Sequence, residues 1–234
     1  MEHHPNPAEH SDIRNQARSL VHLVRPPQAA QEKPPLLLLL HGLGSNEQDL
    51  FSLTPYLDER LLIVSARAPI PLFPGGYAWF QIDFTPYGIR MHADEAEQSR
   101  LILLAFLDYL VERYKADPER VYLGGFSQGA MMSLHIALTH PEKVAGVVAM
   151  SGRVLPEALP HRVAPEALQD LPIFMSHGIY DNVLPVEDAR AAEEYLAKLP
   201  VALTYKEYPM AHEISLESLK DMTAWLKHQL DQEK

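Results

Sequence analysis

Five consecutive leucines, Leu36–Leu40, constrain the fold of this chain more than any other segment does. The run follows two prolines and precedes a His-Gly pair, and it is far too short to span a bilayer. A strand that is apolar at every position, rather than at alternate positions, is typical of a strand buried on both faces. The run therefore predicts a central strand of a sheet that is covered on both sides.

Apolar strands and helical segments alternate along the rest of the chain. This alternation indicates a mostly parallel sheet flanked by helices, so the predicted fold class is α/β. Residues 18–234 are expected to form a single domain, and the polar residues 1–17 a flexible N-terminal tail. The predicted strands cover residues 19–25 (an edge strand), 61–65, 121–124, 144–150, 173–177 and 202–208, and the predicted helices residues 93–116, 130–140, 187–199 and 216–230.

Composition narrows the class of partner. Twenty Lys and Arg against 31 Asp and Glu give a formal net charge of −11, which argues against a nucleic-acid surface because phosphates require clustered cations. The absence of cysteine excludes disulfides, thiolate metal sites and a cysteine nucleophile. The N-terminus has no apolar signal core, so we expect a cytoplasmic protein without stable membrane insertion.

The strongest chemical signal is the pentapeptide Gly125-Phe-Ser-Gln-Gly129. A serine hydroxyl becomes a useful nucleophile when a base lies against it and a sharp strand-to-helix turn exposes its oxygen. Glycines two positions before and after the serine let the chain make that strained turn. Because the motif lies between a predicted strand and a predicted helix, we interpret Ser127 as a nucleophile rather than as a chance match.

A second glycine-containing segment, His41-Gly-Leu-Gly44, follows the leucine strand. Around such a serine, an oxyanion hole takes one backbone N–H from the next residue and one from an early strand–helix loop. The candidate donors are therefore the amides of Gln128 and Leu43. The alternative interpretation of the second segment is a plain glycine turn.

The acid and the base are expected after the serine, in that order. Asp181 follows the predicted strand 173–177, and His212 lies between the last predicted strand and the last helix. Active-site residues gather at this end of parallel strands. The competing carboxylates Asp170, Glu187 and Asp188 fit better as loop or helix-start charges. No second ligand cluster accompanies His212, so no metal is implied.

Two connections bear on substrate access. Residues 151–172 are too few for a separate lid domain, so we expect an open site. Residues 69–92 are rich in Pro, Gly and aromatic side chains without a clear period, which favours a functional segment. Trp79 and Phe80, together with Leu43 and Ile179, are candidates for the acyl pocket, and simple core packing is the alternative for them.

At this point the chain resembles the phospholipase/carboxylesterase family of α/β-hydrolases, which includes acyl-protein thioesterases and small carboxylesterases. The resemblance implies Ser127, Asp181 and His212 as a catalytic triad, Leu43 and Gln128 as oxyanion amides, and no cofactor. The matching segments run in family order, and they are Leu40-His-Gly-Leu-Gly44, Ala66-Arg-Ala-Pro69, Gly75-Gly-Tyr-Ala-Trp-Phe80, Gly125-Phe-Ser-Gln-Gly-Ala130, His177-Gly-Ile-Tyr-Asp181 and Tyr208-Pro-Met-Ala-His-Glu-Ile214.

The expected function is hydrolysis of short to medium acyl carboxylic esters through an acyl-enzyme intermediate. An acyl-protein thioesterase or a lysophospholipase with the same triad is the alternative, since the family contains all three activities. A peptidase is disfavoured because no cap domain is evident, and a non-catalytic ligand-binding relative because all three triad residues are present. The expected partner is a small-molecule ester, and a homodimer is left open.

Overall fold

The computed structural model describes residues 7–29, 31–85 and 88–232, and these residues form eleven strands and six α-helices. The strands are β1 (His22–Arg25), β2 (Leu36–Leu40), β3 (Leu62–Ala66), β4 (Ile70–Phe73), β5 (Gly76–Ala78), β6 (Ile82–Thr85), β7 (Gly88–Met91), β8 (Val121–Phe126), β9 (Gly146–Met150), β10 (Pro172–Gly178) and β11 (Ala202–Tyr208). The helices are α1 (Pro7–Ser19), α2 (Gln48–Phe51), α3 (Ala93–Tyr114), α4 (Gln128–Thr139), α5 (Val186–Leu196) and α6 (Leu216–Asp231).

Seven of the strands form one sheet in the order β1-β3-β2-β8-β9-β10-β11. Strand β1 pairs antiparallel with β3 at one edge, and every other pairing in this sheet is parallel. The carboxyl ends of the parallel strands therefore all lie on the same side of the sheet, where ligands bind in sheets of this kind. The predicted α/β fold with a mostly parallel sheet is confirmed.

The five leucines of β2 occupy the centre of the sheet and are all buried. Leu36, Leu38 and Leu40 pack into one apolar cluster with α3 and α4, whereas Leu37 and Leu39 pack into a second cluster with α6. Alternate side chains of a strand point to opposite faces, so the continuous run serves both layers. Burying each leucine contributes about 2 kcal/mol.

The N-terminal segment differs from the expected flexible tail. Residues 7–17 belong to α1, which packs against α3, and residues 1–6 lie outside the described part of the chain. Ile13 and Ala17 are buried, as is Leu20 just after the helix. These three positions form one narrow apolar stripe on an otherwise polar helix, a signal too weak to register as an amphipathic period. The assignment of residues 18–234 to one domain stays a prediction.

The long segment between β3 and α3 also differs from expectation. It contains two antiparallel hairpins, β4 with β5 and β6 with β7, each a separate two-stranded sheet. Strands of three or four residues are too short to show alternation in the sequence. The connection from β9 to β10 contains two 3₁₀ turns, Pro156–His161 and Pro165–Leu168, and no lid domain is present among the described residues.

No described helix combines the length and the apolar character needed to cross a membrane. Within the same residues, no cluster of three or more His, Asp or Glu side chains is arranged to hold a metal ion.

Candidate active site

Ser127 stands at the sharp turn between β8 and α4. Its backbone has φ 53° and ψ −116°, outside the regions that a non-glycine residue normally adopts. The turn is fixed by a 2.8 Å hydrogen bond from the Ser127 N–H to the Met150 carbonyl on the neighbouring strand β9. Strain of this kind costs about 1–3 kcal/mol and persists only where the surroundings enforce it.

The glycines of the motif are needed because of backbone packing. A Cβ atom at Gly125 would overlap the carbonyl of Gly129 one helical turn further on. At Gly129, a Cβ would overlap the carbonyl of Leu40 at the end of β2. The turn at residues 125–129, called the elbow below, is thus packed between α4 and β2. Neither glycine position can carry a side chain without displacing backbone.

The loop after β2 lies directly against Ser127. A Cβ built at Gly42 would be 3.3 Å from the Cβ of Ser127. Among the described residues, no backbone carbonyl accepts from the Leu43 N–H. Gln128 is the first residue of α4, so its N–H has no partner inside the helix. Two uncommitted amides therefore stand beside the serine, as an oxyanion hole requires.

Asp181 and His212 are in direct contact. The Nδ1 atom of His212 lies 2.6 Å from Oδ2 of Asp181, whose side chain is fully buried. The other carboxylate oxygen accepts hydrogen bonds from the amides of Val183 at 2.9 Å and Leu184 at 2.8 Å. Burial acts to raise the pKa of Asp181, but these amides and the imidazole outweigh burial and hold the pKa below its ordinary value.

A second histidine contacts the same carboxylate. The Nε2 atom of His177 is 2.8 Å from the Leu184 carbonyl and 3.3 Å from Oδ2 of Asp181. Since a carbonyl only accepts, Nε2 of His177 carries the proton and donates. His177 therefore supports the loop that carries Asp181. In the sequence His177 precedes a glycine at the end of a strand, a position typical of a structural histidine.

Backbone hydrogen bonds fix the loop after β10, which carries Asp181 and is called the acid loop below, against the segment after β11 that carries His212. The N–H of Ile179 donates to Tyr208 at 2.9 Å, and the N–H of Tyr180 donates to Met210 at 3.1 Å. A Cβ at Gly178 would overlap the carbonyl of Met210. The two segments are thus positioned as one unit at the carboxyl ends of β10 and β11.

Ser127 and His212 line a common cavity of about 560 Å³. The ring of Phe126 packs on the imidazole, with 4.8 Å between ring centroids. No hydrogen bond joins Ser127 and His212 in the described structure, as is frequent in unliganded sites, where catalytic hydrogen bonds tighten on substrate binding. The apolar part of the lining is provided by Leu43, Ile82, Met91, Phe126, Met131, Val183, Leu184 and Pro185.

The prediction that Trp79 and Phe80 line the acyl pocket is wrong, because both side chains are fully buried in the core. The Trp79 N–H donates to Oε1 of Gln128, and Nε2 of Gln128 donates to the Phe80 carbonyl, both at 2.7 Å. The indole N–H donates to the His41 carbonyl at 3.0 Å. These contacts fix Gln128, the residue after Ser127. Ile179 also lies outside the cavity lining, whereas Leu43 lies within it.

Sequence comparison places the chain among known hydrolases. The sequence model of the phospholipase/carboxylesterase family matches residues 23–230 of this chain. Acyl-protein thioesterase 1 of Kluyveromyces lactis is 30% identical over 223 residues, which cover 88% of this chain and 97% of that protein. A probable carboxylesterase of Oryza sativa subsp. japonica is 30% identical over 216 residues, covering 86% of this chain and 80% of that protein.

Structural comparison agrees with the sequence. The crystal structure of esterase PE8 superposes with a TM-score of 0.72 at 30% identity, covering 89% of this chain and 98% of the other. The Bacillus cereus carboxylesterase superposes with a TM-score of 0.75, covering 94% and 99%, and at 21% identity it supports the fold alone. The family match includes nearly all of the sheet and also Ser127, Asp181 and His212. The chain therefore belongs to the phospholipase/carboxylesterase family of α/β-hydrolases.

Proposed function

We propose that the chain is a serine carboxylesterase in which Ser127 is the nucleophile, His212 the general base and Asp181 the residue that orients the base. The observation that carries the proposal is the hydrogen bond between Asp181 and His212 in a cavity that also exposes a strained serine. Because a carboxylesterase and an esterase are among its relatives, the chain is a carboxylic ester hydrolase.

The geometry supports acyl transfer in two steps. His212 accepts the Ser127 proton on Nε2 while the serine oxygen bonds to the ester carbonyl carbon, whose oxygen becomes an oxyanion. The amides of Leu43 and Gln128 stabilise this oxyanion, each by about 3 kcal/mol. Collapse of the intermediate breaks the ester C–O bond, and the departing alcohol takes the proton from His212.

Water completes the cycle. His212 takes a proton from water as the water oxygen bonds to the acyl carbon, and collapse returns the proton to the Ser127 oxygen. Asp181 accepts from Nδ1–H throughout, so Nε2 is the nitrogen left to work as the base. The lowered pKa of Asp181 keeps this carboxylate ionised over the neutral pH range.

The cavity is large enough for a short or medium acyl chain, and its apolar lining suits one. Thioester hydrolysis is the second candidate, since relatives named acyl-protein thioesterase 1 match most of the chain. A lysophospholipase would use the same residues. A cytoplasmic location and the open question of a homodimer stay predictions.

The decisive test is Ser127→Ala, which removes the nucleophilic oxygen. We expect kcat on p-nitrophenyl butyrate to fall by at least about 10⁴-fold and fluorophosphonate labelling to disappear, with unchanged circular dichroism. Ser133→Ala is the matched control, since this α4 hydroxyl only donates to the Gly129 carbonyl. Persistent labelling of Ser127→Ala would refute the assignment. Comparing butyryl ester with butyryl thioester separates the two candidate activities.

A further inference from the structure

Arg153 occupies an unusual place for a cation, because it lines the same cavity as Ser127 and His212. It follows β9, the strand next to the one that ends at the nucleophile. A Cβ at the preceding residue, Gly152, would lie 3.2 Å from the Ser127 carbonyl oxygen. Leu155 is buried on the other side. The backbone of Arg153 is therefore anchored at both ends beside the elbow.

The guanidinium of Arg153 lacks a full-strength acceptor in the described structure. Its Nε atom is buried and has no hydrogen-bond partner. One terminal nitrogen is 3.8 Å from Oδ1 of Asp188, beyond hydrogen-bond distance, and the other is 3.6 Å from the Met91 sulfur, a weak acceptor. An oxyanion ligand therefore has to compete only with this long ion pair and with a weak sulfur acceptor.

Other arginines of the chain are paired differently. Arg67 donates to both carboxylate oxygens of Glu47 at 2.6 Å, and Arg190 to both oxygens of Glu207 at 2.8 Å. These two-point pairs are the geometry that a guanidinium and a carboxylate prefer. Arg153 lines the cavity and makes no such two-point pair, since its contact with a carboxylate is the single 3.8 Å ion pair with Asp188.

We propose that Arg153 is an anion-binding subsite of the catalytic cavity and selects esters that carry a second, ionised carboxylate. This inference rests on the proposed esterase function and names the substrate class for it. A monoanionic carboxylate fits better than a dianionic phosphate, because Asp49 and Asp188 also line the cavity and repel added negative charge. Asp188 orients the unliganded Arg153 and competes with the substrate carboxylate.

The test compares two esters of matched shape, monoethyl glutarate and ethyl 5-methylhexanoate, in which an isopropyl group replaces the carboxylate. Ethanol release at pH 7.5 and low ionic strength gives kcat/KM for each, and the readout is the charged-to-neutral ratio. Monoethyl succinate and adipate vary the reach. We expect Arg153→Gln to lower the ratio about tenfold or more, since it removes a charge-assisted hydrogen bond. Arg153→Lys should retain part of it.

Two further variants make the test specific. Asp188→Asn removes the competing carboxylate and should raise the ratio several-fold. Arg60→Gln makes the same change in net charge. Arg60 directly precedes β3, at the amino ends of the parallel strands and away from the cavity, and it pairs with Asp58 and Asp231, so the ratio should stay unchanged. Added salt should lower the ratio of the unmodified protein and leave that of Arg153→Gln nearly constant.

Equal ratios in the unmodified protein and Arg153→Gln, with the neutral ester hydrolysed by both, would overturn the subsite and leave the esterase function intact. Arg153 would then serve only to tether the loop after β9 to α5 through Asp188. If Arg153→Gln fails to fold, an unchanged ratio in Asp188→Asn overturns the proposal equally. Failure of the unmodified protein to hydrolyse either ester would instead refute the proposed function.

Discussion

The elbow around Ser127 and the loop around Asp181 end neighbouring parts of the same sheet, yet they are held in different ways. The elbow is enclosed, and glycines 125 and 129 touch backbone so closely that no Cβ fits. The acid loop is open, with Tyr180 66% and Val183 63% exposed, and hydrogen bonds to the Asp181 carboxylate hold it.

This difference follows from what each residue has to do. Ser127 needs a strained backbone to expose its oxygen, and only dense packing maintains strain. Asp181 needs a stable negative charge, and amide donors supply that without strain. Close backbone packing therefore contributes most to fixing Ser127, whereas hydrogen bonds to the carboxylate contribute most to fixing the side chain of Asp181. Substitutions at the two places should fail for different reasons.

Apart from Ser127→Ala, the largest effect is expected in the acid loop, from Asp181→Asn. The amide oxygen can still accept from Val183 and Leu184, but the NH₂ group would face Nδ1 of His212 and favour the wrong tautomer. We expect kcat for p-nitrophenyl butyrate to fall about 10⁴-fold with little change in the urea midpoint. The exposed Asp170→Asn should be indistinguishable from the unmodified protein. A near-normal kcat in Asp181→Asn would mean that another carboxylate orients His212, and Asp188 would be tested next.

A smaller effect, and one on stability, is expected in the elbow from Gly129→Ala. The added methyl overlaps the Leu40 carbonyl, and neither backbone can move without disturbing β2. The free energy of unfolding should fall by roughly 3 kcal/mol in urea titrations. Tyr180→Ala in the open loop should change it by less than about 0.5 kcal/mol. Similar losses for both variants would remove the contrast between the two regions.

Acid should separate the regions further. Burial lowers the pKa of His135, on the elbow helix α4, to about 4, with Arg100, His140 and His161 acting in the same direction and Glu97 opposing. The unfolded chain takes up this proton near pH 6.5, so stability is lost as pH falls from 6.5 toward 4. We expect about 2 kcal/mol of loss between pH 7 and 4.5.

The check is the urea midpoint against pH for the unmodified protein and His135→Gln, which should show a flatter profile. His228→Gln, an exposed position on α6, is the control and should keep the original slope. The lowered pKa of Asp181 acts in the same direction but over a lower pH range, since its contribution is present above the unfolded value near 3.9 and is lost only below it. Parallel profiles for His135→Gln and the unmodified protein would contradict the role of the buried imidazole.

The parts of the fold that depend on neighbouring residues could be predicted from the sequence. The leucine strand has the bounds expected for it, because burial on both faces is a property of consecutive residues. The strand-to-helix context of Ser127 was visible for the same reason. Asp181 and His212 were selected by their order and by strand ends, and the structure places them in contact.

The parts that depend on distant contacts could not. Trp79 and Phe80 are aromatic residues in an irregular segment, and nothing local distinguishes a pocket wall from the partners of Gln128. In the sequence nothing distinguishes Arg153 from the other arginines, because its position beside the cavity depends on the place of β9 in the sheet. Ile13 and Ala17 gain their significance from α3, which follows about 80 residues later.

The two hydrogen bonds that join Gln128 to residues 79 and 80 have a consequence for how this enzyme can change over evolution or in the laboratory. Gln128, the residue proposed to supply an oxyanion amide, also anchors one end of the loop that leads to the hairpin of β6 and β7. Substitutions of Gln128 would therefore change the shape of this loop and lower kcat at the same time. Ile82 and Met91 belong to this hairpin and line the cavity directly, so substitutions there can change the specificity without removing the hydrogen bonds of Gln128.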